Sequence, residues 1–156
     1  TDYLGRLYFN DVDVSGIPVA EWQRLRRCHI AYLPQELALF PELTALENIR
    51  LKASLAGDVQ EERIAGWLKE LGIDSRADYP VGRMSIGQQQ RVASIRSICQ
   101  PFDFIVLDEP VSHLDEENNR IAARMVMREA DRQGAGIITT SVGNRLLLDS
   151  LKTIKL

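Results

Sequence analysis

Two adjacent carboxylates, Asp108 and Glu109, follow directly on the apolar run at 104–107. An apolar run without alternation is typical of a strand that is buried on both faces of a parallel sheet. Because α/β proteins bind their ligands at the carboxyl edge of such a sheet, the pair is a candidate for chemistry on a bound ligand. The simpler alternative is that the two acids end the strand and cap the next helix.

A second candidate lies at Ser85, Gly87 and Gln88, where a helix is predicted to begin. Ser85 and Gln88 have the spacing of a capping box, and Val92 and Ile95 continue the helical period. The free N–H groups and the dipole at a helix N-terminus suit an anion, so this loop can donate to a phosphate. The same residues also serve as a plain helix cap.

Gln35 is the third candidate, because it comes directly after the short apolar segment at 30–33 and Pro34. Proline is excluded from the middle of a sheet, so the segment is predicted to end there and to leave Gln35 just beyond a strand's carboxyl end. An amide side chain offers both a hydrogen-bond donor and an acceptor to a ligand. A glutamine in a surface loop is the alternative.

These residues stand in motifs that resemble those of the ATP-binding cassette (ABC) ATPases. M-S-I-G-Q-Q-Q-R at 84–91 is similar to the signature motif, F-I-V-L-D-E-P at 104–110 to the Walker B strand, and S-H-L-D at 112–115 to the D-loop. Y-L-P-Q at 32–35 and L-F-P-E-L-T-A-L-E-N at 39–48 are similar to the Q-loop and the sequence beyond it. The resemblance extends from Gly5 to Leu156, and Q-Q-Q-R-V-A at 88–93 is nearest to the ATPases of lipoprotein-release and macrolide exporters.

The resemblance implies an α/β fold: a RecA-like P-loop NTPase core with a parallel sheet, interrupted by a small helical subdomain. The core is expected at residues 1–35 and 85–156, and the helical subdomain at 36–84. None of the ten glycines is followed by lysine, so the phosphate-binding sequence G-x-x-x-x-G-K-[ST] does not occur in the chain. We therefore expect an ABC ATPase that is truncated at its N-terminus and lacks the Walker A region.

By resemblance, ATP and Mg²⁺ are the expected cofactors, and three residues are expected to serve hydrolysis. Asp108 and Gln35 are expected to bind Mg²⁺, while Glu109 and Gln35 position or polarise the water that attacks the γ-phosphate. This arrangement meets the requirements of phosphoryl transfer, which are positioned neutralising charge and an in-line nucleophile. The implied activity is that of an ABC-type ATP hydrolase, although this chain alone is expected to be inactive without Walker A.

Five residues are expected by resemblance to contact the nucleotide: Ser85, Gly87, Gln88, Asp115 and Ser141. In ABC dimers the signature loop closes on the nucleotide held by the other subunit, so a second ABC ATPase subunit is an expected partner. An integral membrane permease is the other expected partner. Two positions depart from the family pattern: Ile86 replaces the first of two adjacent glycines, and Ser141 aligns with the switch histidine.

Local patterns predict the elements that carry these residues. Thr44 and Glu47 form a capping box, Asp58 can cap the next helix, Gly72 can end it, and Asp115 can cap a long one. Strands are predicted at 4–10, 30–33, 104–107, 136–140 and 152–156, and short helices near Trp22 and at 144–148. The strand at 136–140 is expected to be buried like that at 104–107. Strands that alternate with helices imply a parallel α/β sheet.

Composition narrows the functional class. The chain has 156 residues, 45% of them hydrophobic, which fits one domain with a core. Its net charge of −3 gives no electrostatic attraction to nucleic acid or to an anionic membrane. No apolar stretch or leader suggests insertion, so we expect a cytoplasmic protein held at the inner face of the cell membrane by its permease. Cys28 and Cys99 lack metal or redox spacing and are predicted to be buried free thiols.

Three functions remain open at this point. The first is the ATP-binding subunit of an ABC transporter, which couples ATP binding and hydrolysis at a dimer interface to transport. The second is a degenerate partner that does not hydrolyse ATP and supplies Ser85 and Gly87 to another subunit's nucleotide. The third is an ABC ATPase of DNA maintenance, which is disfavoured by the negative charge and by the 49 residues between Gln35 and Ser85, where coiled-coil members carry hundreds.

Overall fold

A computed structural model describes residues 5–9, 11–57 and 59–148. Its strands are β1 (Tyr8–Phe9), β2 (Val12–Asp13), β3 (Ile30–Leu33), β4 (Phe104–Asp108) and β5 (Gly136–Thr140). Its α-helices are α1 (Val19–Cys28), α2 (Ala45–Ala56), α3 (Glu61–Glu70), α4 (Ile86–Ile98) and α5 (Glu116–Gln133). Short 3₁₀ turns lie at Val14–Gly16, Asp74–Arg76 and Val81–Arg83.

The main sheet is parallel, with β4 between β3 and β5. Leu33 pairs with Leu107, and Leu107 pairs in turn with Thr139. The short strands β1 and β2 form a separate antiparallel pair. The predicted parallel α/β arrangement is therefore confirmed, and the three long strands deliver their carboxyl ends to one edge.

The two faces of this sheet differ in burial. Ala31, Ile105 and Leu107 lie on the face that contributes to the core. On the opposite face Tyr32 and Ile138 are exposed by 54% and 52%. The prediction that the strands at 104–107 and 136–140 are buried on both faces is therefore wrong. An unbroken apolar run does not distinguish one covered face from two, and within the described residues no element buries the second face.

The helices at 45–83 begin and end largely as their caps predict. The Thr44 Oγ1 accepts from the Glu47 N–H at 3.1 Å, while the Glu47 carboxylate accepts from the Thr44 N–H at 2.8 Å. Gly72, with a φ of 63°, follows the end of α3 in the left-handed conformation that favours glycine. Asp58 lies outside the described residues, and Gln60 holds the N-cap position of α3.

One hydrophobic core joins the helices at 45–83 to the sheet. It includes Ile49 from α2, Trp67 from α3, Ile95 from α4 and Met125 from α5. The predicted inward stripes of α4 and α5 are thus confirmed in their main positions. Residues 36–84 contribute helices and turns with one isolated bridge, Thr44 to Pro80, and their treatment as a separate subdomain stays a prediction.

The segment after β5 does not form the short helix predicted at 144–148. The buried side chain of Asn119 in α5 explains why. Its Nδ2 donates to the Arg145 carbonyl at 2.8 Å, and its Oδ1 accepts from the Leu147 N–H at 3.2 Å. The backbone groups that a helix would pair with each other are therefore paired with a distant side chain. The strand predicted at 152–156 lies outside the described residues.

Candidate functional site

Three neighbouring strand ends carry most of the predicted site. Asp108 is the last residue of β4 and pairs with Thr140, the last residue of β5. Glu109 and Ser141 are the next residues along the chain, and Gln35 lies two residues beyond the end of β3. The topology therefore brings these candidates to one edge of the sheet, where α/β folds bind ligands.

Asp108 is half-buried and is held from the neighbouring strand. The Thr140 Oγ1 donates to its Oδ1 at 2.5 Å. Its Oδ2 accepts no hydrogen bond from any described residue, so one carboxylate oxygen remains for a ligand. The exposed side chain of Gln35 likewise has no hydrogen-bond partner within the described part of the chain.

Glu109 occupies an unusual backbone conformation, with a φ of 49°. For a residue other than glycine, this left-handed region costs roughly 1–2 kcal/mol. Its N–H donates to the Thr140 carbonyl at 3.3 Å, and its carbonyl accepts from the Gln90 Nε2 at 2.9 Å. The Glu109 carboxylate accepts from the Val142 N–H, which ties the side chain to the loop after β5. Sequence analysis contained no signal for this backbone conformation.

Gln90 connects α4 to the turn after β4. It is buried, with 1% exposure, and its Nε2 also lies 3.3 Å from the Ser112 Oγ. Its Oε1 accepts from the His113 N–H at 3.0 Å. Sequence analysis missed this role because Gln90 lies off the apolar stripe of Val92, Ile95 and Cys99. Its only signal was membership of the signature motif.

The signature residues form the predicted cap of α4. The Ser85 Oγ accepts from the Gln88 N–H at 3.3 Å, and the Gln88 Oε1 accepts from the Ser85 N–H at 3.0 Å. The next N–H groups, of Ile86 and Gly87, belong to the first helical turn and have no intrahelical acceptor. Ile86 is the first residue of α4 and does not have a positive φ, so its β-branched side chain causes no left-handed strain.

Gly87 allows the signature loop to approach the D-loop closely. A Cβ atom at this position would lie 2.9 Å from the His113 carbonyl oxygen, closer than real Cβ contacts. His113 itself places its Nδ1 3.0 Å from the Ser112 Oγ. Glycine is therefore required here by packing against backbone, because any side chain would push the two loops apart.

Asp115 caps α5 and marks the end of the D-loop. Its Oδ1 accepts from the Asn118 N–H at 2.8 Å. This backbone hydrogen bond, followed by those from the Asn118 side chain, lowers the pKa of Asp115 below its ordinary value. The Arg91 Nη1 donates to the Asn118 Oδ1 at 2.6 Å, so the cap of α5 is also linked to α4.

The cysteines and His29 lie apart from this chemistry. Cys99 is buried, and burial raises the pKa of its thiol to about 12. Cys28 is exposed, so its predicted burial is wrong. It is the last residue of α1, and within the described residues no element covers its side chain. His29 lies 2.8 Å from both Asp103 and Arg24 in a surface network.

The edge residues fit the part that a protein plays in holding a Mg²⁺–nucleotide. Mg²⁺ commonly takes one or two carboxylates, several waters and substrate phosphates. The free oxygen of Asp108 and the amide of Gln35 are of the types that such a partial ligand set would need. Among the described residues, no group of three or more histidine, cysteine or acidic side chains could hold a metal ion by itself.

Comparison with known proteins decides the family. The family model described as "ABC transporter" matches residues 2–112. The chain belongs to the ABC transporter family.

Relatives and solved structures agree with this assignment. The ABC transporter ATP-binding protein YtrE of Bacillus subtilis (strain 168) is 32% identical over 127 residues, which are 80% of this chain and 55% of YtrE. The macrolide export ATP-binding/permease protein MacB of Burkholderia pseudomallei (strain 1710b) is 32% identical over 147 residues, 92% of this chain and 22% of MacB. The dimeric ATP-binding cassette MJ0796, in a post-hydrolysis state with ADP and Pi, is 26% identical with a TM-score of 0.73.

These matches confirm the predicted ABC family, its likeness to the macrolide exporters and the RecA-like cassette fold. The MJ0796 alignment covers 88% of this chain and 62% of that cassette. The ABC transporter chain described here thus spans about half of YtrE and about a fifth of MacB. None of the helices in the described ranges combines the length and apolar character that crossing a bilayer requires.

Proposed function

We propose that the chain is part of the ATP-binding subunit of an ABC transporter, in which ATP hydrolysis at a dimer interface drives transport. The observation that carries this proposal is the common edge of β3, β4 and β5. It presents Gln35, the pair Asp108 and Glu109, and Ser141 side by side. Two acids at the end of one strand are common. Here polar residues that follow both neighbouring strands, Gln35 after β3 and Ser141 after β5, accompany the acids, which is the arrangement expected of a binding site.

Each edge residue has a proposed role in hydrolysis. Bound ATP supplies the γ-phosphate, and Asp108 and Gln35 would hold its Mg²⁺. Glu109 orients the attacking water and is available for this once its carboxylate leaves the Val142 N–H. Ser141, half-buried beside Val142, lies where the family's switch histidine would contact the γ-phosphate. A serine hydroxyl can donate there but carries no positive charge.

The signature residues are proposed to act on a second subunit's nucleotide. The first N–H groups of α4 have no intrahelical acceptor, and the helix dipole is positive at this end. Both features favour a bound phosphate. Ser85, Gly87 and Gln88 would bind that γ-phosphate, with Asp115 at the edge of the same contact. The dimeric state of the MJ0796 cassette supports a dimer of this kind.

An integral membrane permease is the proposed second partner. The name of MacB describes an ATP-binding/permease protein, and this chain matches 22% of the length of MacB. The proposed location is therefore the inner face of the cell membrane, reached through that permease. The net charge of −3 makes nucleic acid an unsuitable partner.

A chimera tests the proposed catalytic roles. A segment that carries the phosphate-binding sequence G-x-x-x-x-G-K-[ST] of an ABC ATPase is joined to Thr1, and steady-state ATPase activity and ATP binding are measured. Glu109→Gln should reduce turnover by about 100-fold or more while ATP binding persists, because glutamine cannot act as a base. Glu116→Gln is the matched control, because Glu116 is an exposed acid at the start of α5. Equal turnover in the two variants would remove Glu109 from catalysis.

A second function, that of a degenerate partner, is favoured by Ser141, which aligns with the family's switch histidine. In that case the chain supplies only Ser85 and Gly87 to a complete subunit. A mixture of the chimera described above with a complete ABC ATPase subunit distinguishes the two. Ser85→Arg should abolish stimulated hydrolysis and Glu109→Gln should have no effect if the chain is only a partner. Loss with both substitutions would support two competent sites.

A further inference from the structure

The residues assigned to the proposed nucleotide site include no cationic side chain. Three of the eight are acidic and none is basic; the eight are Gln35, Ser85, Gly87, Gln88, Asp108, Glu109, Asp115 and Ser141. Phosphoryl transfer develops negative charge on the transferring group, so such a site needs cationic or hydrogen-bond-donating partners. Ser141 aligns with the family's switch histidine and has no imidazole to offer. Another donor is therefore needed at the γ-phosphate.

His113, in the D-loop, lies directly against the signature loop. The atom nearest to a Cβ built on Gly87 is the His113 carbonyl oxygen, at 2.9 Å. The His113 N–H donates to the Gln90 Oε1 at 3.0 Å, so two residues of α4 fix the backbone of His113. Because Gly87 belongs to the proposed phosphate-binding turn of α4, His113 lies beside that turn.

The exposed side chain of His113 is held on one side of its ring only. Its Nδ1 lies 3.0 Å from the Ser112 Oγ, while its Nε2 has no hydrogen-bond partner in the part of the chain that the structure describes. When the Ser112 hydroxyl donates to Nδ1, the neutral ring carries its proton on Nε2, and a charged ring carries one there as well. In both of these forms the exposed Nε2 is a donor for a ligand.

The Ser112 hydroxyl that contacts the ring is also tied to the acidic pair. Its Oγ lies 3.3 Å from the Glu109 carbonyl oxygen and 3.3 Å from the Gln90 Nε2. The Gln90 Nε2 donates to the same Glu109 carbonyl at 2.9 Å. This hydrogen-bonded cluster fixes the position of the His113 ring relative to Glu109 and to α4.

We propose that His113 is a further catalytic residue, whose Nε2 donates to the γ-phosphate of the ATP held by the second subunit. The inference rests on the proposed function, in which the turn of α4 at Gly87 binds that same phosphate. The imidazole of one subunit then supplies the interaction for which Ser141 of the other has no imidazole. It forms a hydrogen bond to a phosphate oxygen, makes no bond to phosphorus and keeps its proton.

A purely structural role does not use the free side of the ring. Holding the loop requires only the backbone contacts of His113 and the contact of Nδ1 with Ser112. The imidazole adds a second donor and can carry positive charge near neutral pH, which none of the eight site residues can do. These are the two properties that a transferring phosphoryl group requires of its surroundings.

Two histidines provide a reporter and an internal control. The chain contains only His113 and His29, and His29 lies in the surface network with Asp103 and Arg24. The ring nitrogens are followed by NMR in the chimera described above, with a joined segment that contains no histidine and with Glu109→Gln to block hydrolysis. Mg·ATP should shift the Nε2 resonance of His113 and leave the resonances of His29 unchanged.

Ser85→Arg tests whether the contact comes from the second subunit. This change obstructs the signature turn and leaves the strand edge intact, so ATP should still bind while the shift of His113 disappears. A shift that persists in Ser85→Arg, or the absence of any shift when ATP is bound to the chimera, would overturn the proposal.

Turnover gives a second test. In the hydrolysing chimera His113→Ala should lower kcat by about 100-fold with ATP binding retained, as loss of one donor to developing charge commonly does. Adding Ser141→His to that variant should restore at least about tenfold, because an imidazole then reaches the phosphate from its own subunit. A merely structural defect in the D-loop would not be repaired from the loop after β5. His29→Ala is the matched control and should leave kcat unchanged.

The outcomes separate this inference from the proposed function. Equal kcat in the parent and His113→Ala would overturn the role of His113 and leave the proposed function standing. Loss of turnover that Ser141→His does not restore would assign His113 to the structure of the loop and overturn the role as well. A chimera that neither binds nor hydrolyses ATP would overturn the proposed function, and this inference with it.

Discussion

At the residue scale, buried amide side chains organise the loops of this ABC transporter chain. Asn48, Gln90 and Asn119 are each at most 2% exposed, and each bonds to backbone groups of a distant or neighbouring loop. An amide has both donors and an acceptor, so one side chain can satisfy several backbone groups that no strand or helix pairs. The loops that carry the site are positioned in this way.

Asn48 gives the sharpest test of this role. Its Nδ2 donates to the Phe40 and Thr44 carbonyls at 3.0 Å each, and its Oδ1 accepts from the Phe40 N–H at 2.8 Å. Asn48→Ala should lower the free energy of unfolding by about 2–4 kcal/mol, because several buried backbone groups lose partners. Ser54→Ala, an exposed change on the same helix, should stay within about 0.5 kcal/mol. Urea denaturation measures both, and similar values would contradict the role.

The two cysteines should differ in reactivity. Thiolate is the reactive form, and burial raises the pKa of Cys99 to about 12, so its thiolate is scarce at pH 8. Iodoacetamide should therefore modify the exposed Cys28 of the folded chain and spare Cys99. Both should react in denaturing urea. Mass spectrometry locates the label, and native modification of Cys99 at the rate of Cys28 would show that the core is open.

At the element scale, α4 is placed by contacts at both of its ends and along one side. Its N-terminus approaches the D-loop through Gly87, and Gln90 joins it to the turn after β4. Arg91 then reaches the first turn of α5. The signature helix, the acidic pair and the D-loop are therefore joined by direct contacts. A displacement of α4 would accordingly shift the backbone at Glu109.

Two glycine substitutions test the placement of α4. Gly87→Ala should destabilise the chain by about 1–3 kcal/mol, because its Cβ meets backbone that cannot move aside. Gly66→Ala, in the exposed interior of α3 with no heavy atom within 4 Å of the added Cβ, should stabilise it by about 0.5–1 kcal/mol. Thermal unfolding of both variants gives the signs. A stabilising Gly87→Ala would mean that the two loops are not in contact.

The unequal faces of the sheet can be tested with one substitution at two places. Ile105 has no exposure and Ile138 is exposed by 52%, although both are strand isoleucines. Ile105→Thr should cost about 2–4 kcal/mol, because it removes apolar contacts and buries a hydroxyl. Ile138→Thr keeps a β-branched residue on the open face and should cost less than about 1 kcal/mol. Equal losses in denaturant unfolding would show that both faces are covered.

At the scale of the whole molecule, the proposed nucleotide site is incomplete in this chain. The strand edge supplies Asp108, Glu109 and Gln35, and α4 supplies a helix N-terminus. The sequence contains no Gly-Lys pair to wrap and neutralise the phosphates.

The 156-residue chain by itself should therefore bind Mg·ATP only weakly. The backbone cradle and lysine that dominate phosphate binding in this family are not in its sequence. Isothermal titration should give no dissociation constant in the micromolar range, and steady-state assays should detect no hydrolysis. The chimera that carries the added G-x-x-x-x-G-K-[ST] segment is the positive control. Micromolar binding by the chain alone would show that the strand edge and α4 suffice.

The sequence by itself determined the features that depend on local chemistry. The capping boxes at Thr44 and Ser85, the stop at Gly72 and the order of strands and helices follow from short-range hydrogen bonds and periodicity. The family followed from motifs of adjacent residues, which the comparisons confirm. The positions of Asp108 and Gln35 at strand ends also followed, because a strand boundary is a local property.

The tertiary structure alone decided the features that depend on distant partners. The Asn119 side chain accepts from the Leu147 N–H, so the segment at 144–148 does not form a helix. The Gln90 side chain donates to the carbonyl of the left-handed Glu109. Both amides bind backbone groups that are distant in the sequence. The open face with Ile138 and the exposed Cys28 depend on which elements pack there, which apolar content does not specify. The pocket lined by Arg26, Lys52 and Arg96 lies between α1, α2 and α4. These helices are separate in the sequence, so a local pattern cannot predict that they meet.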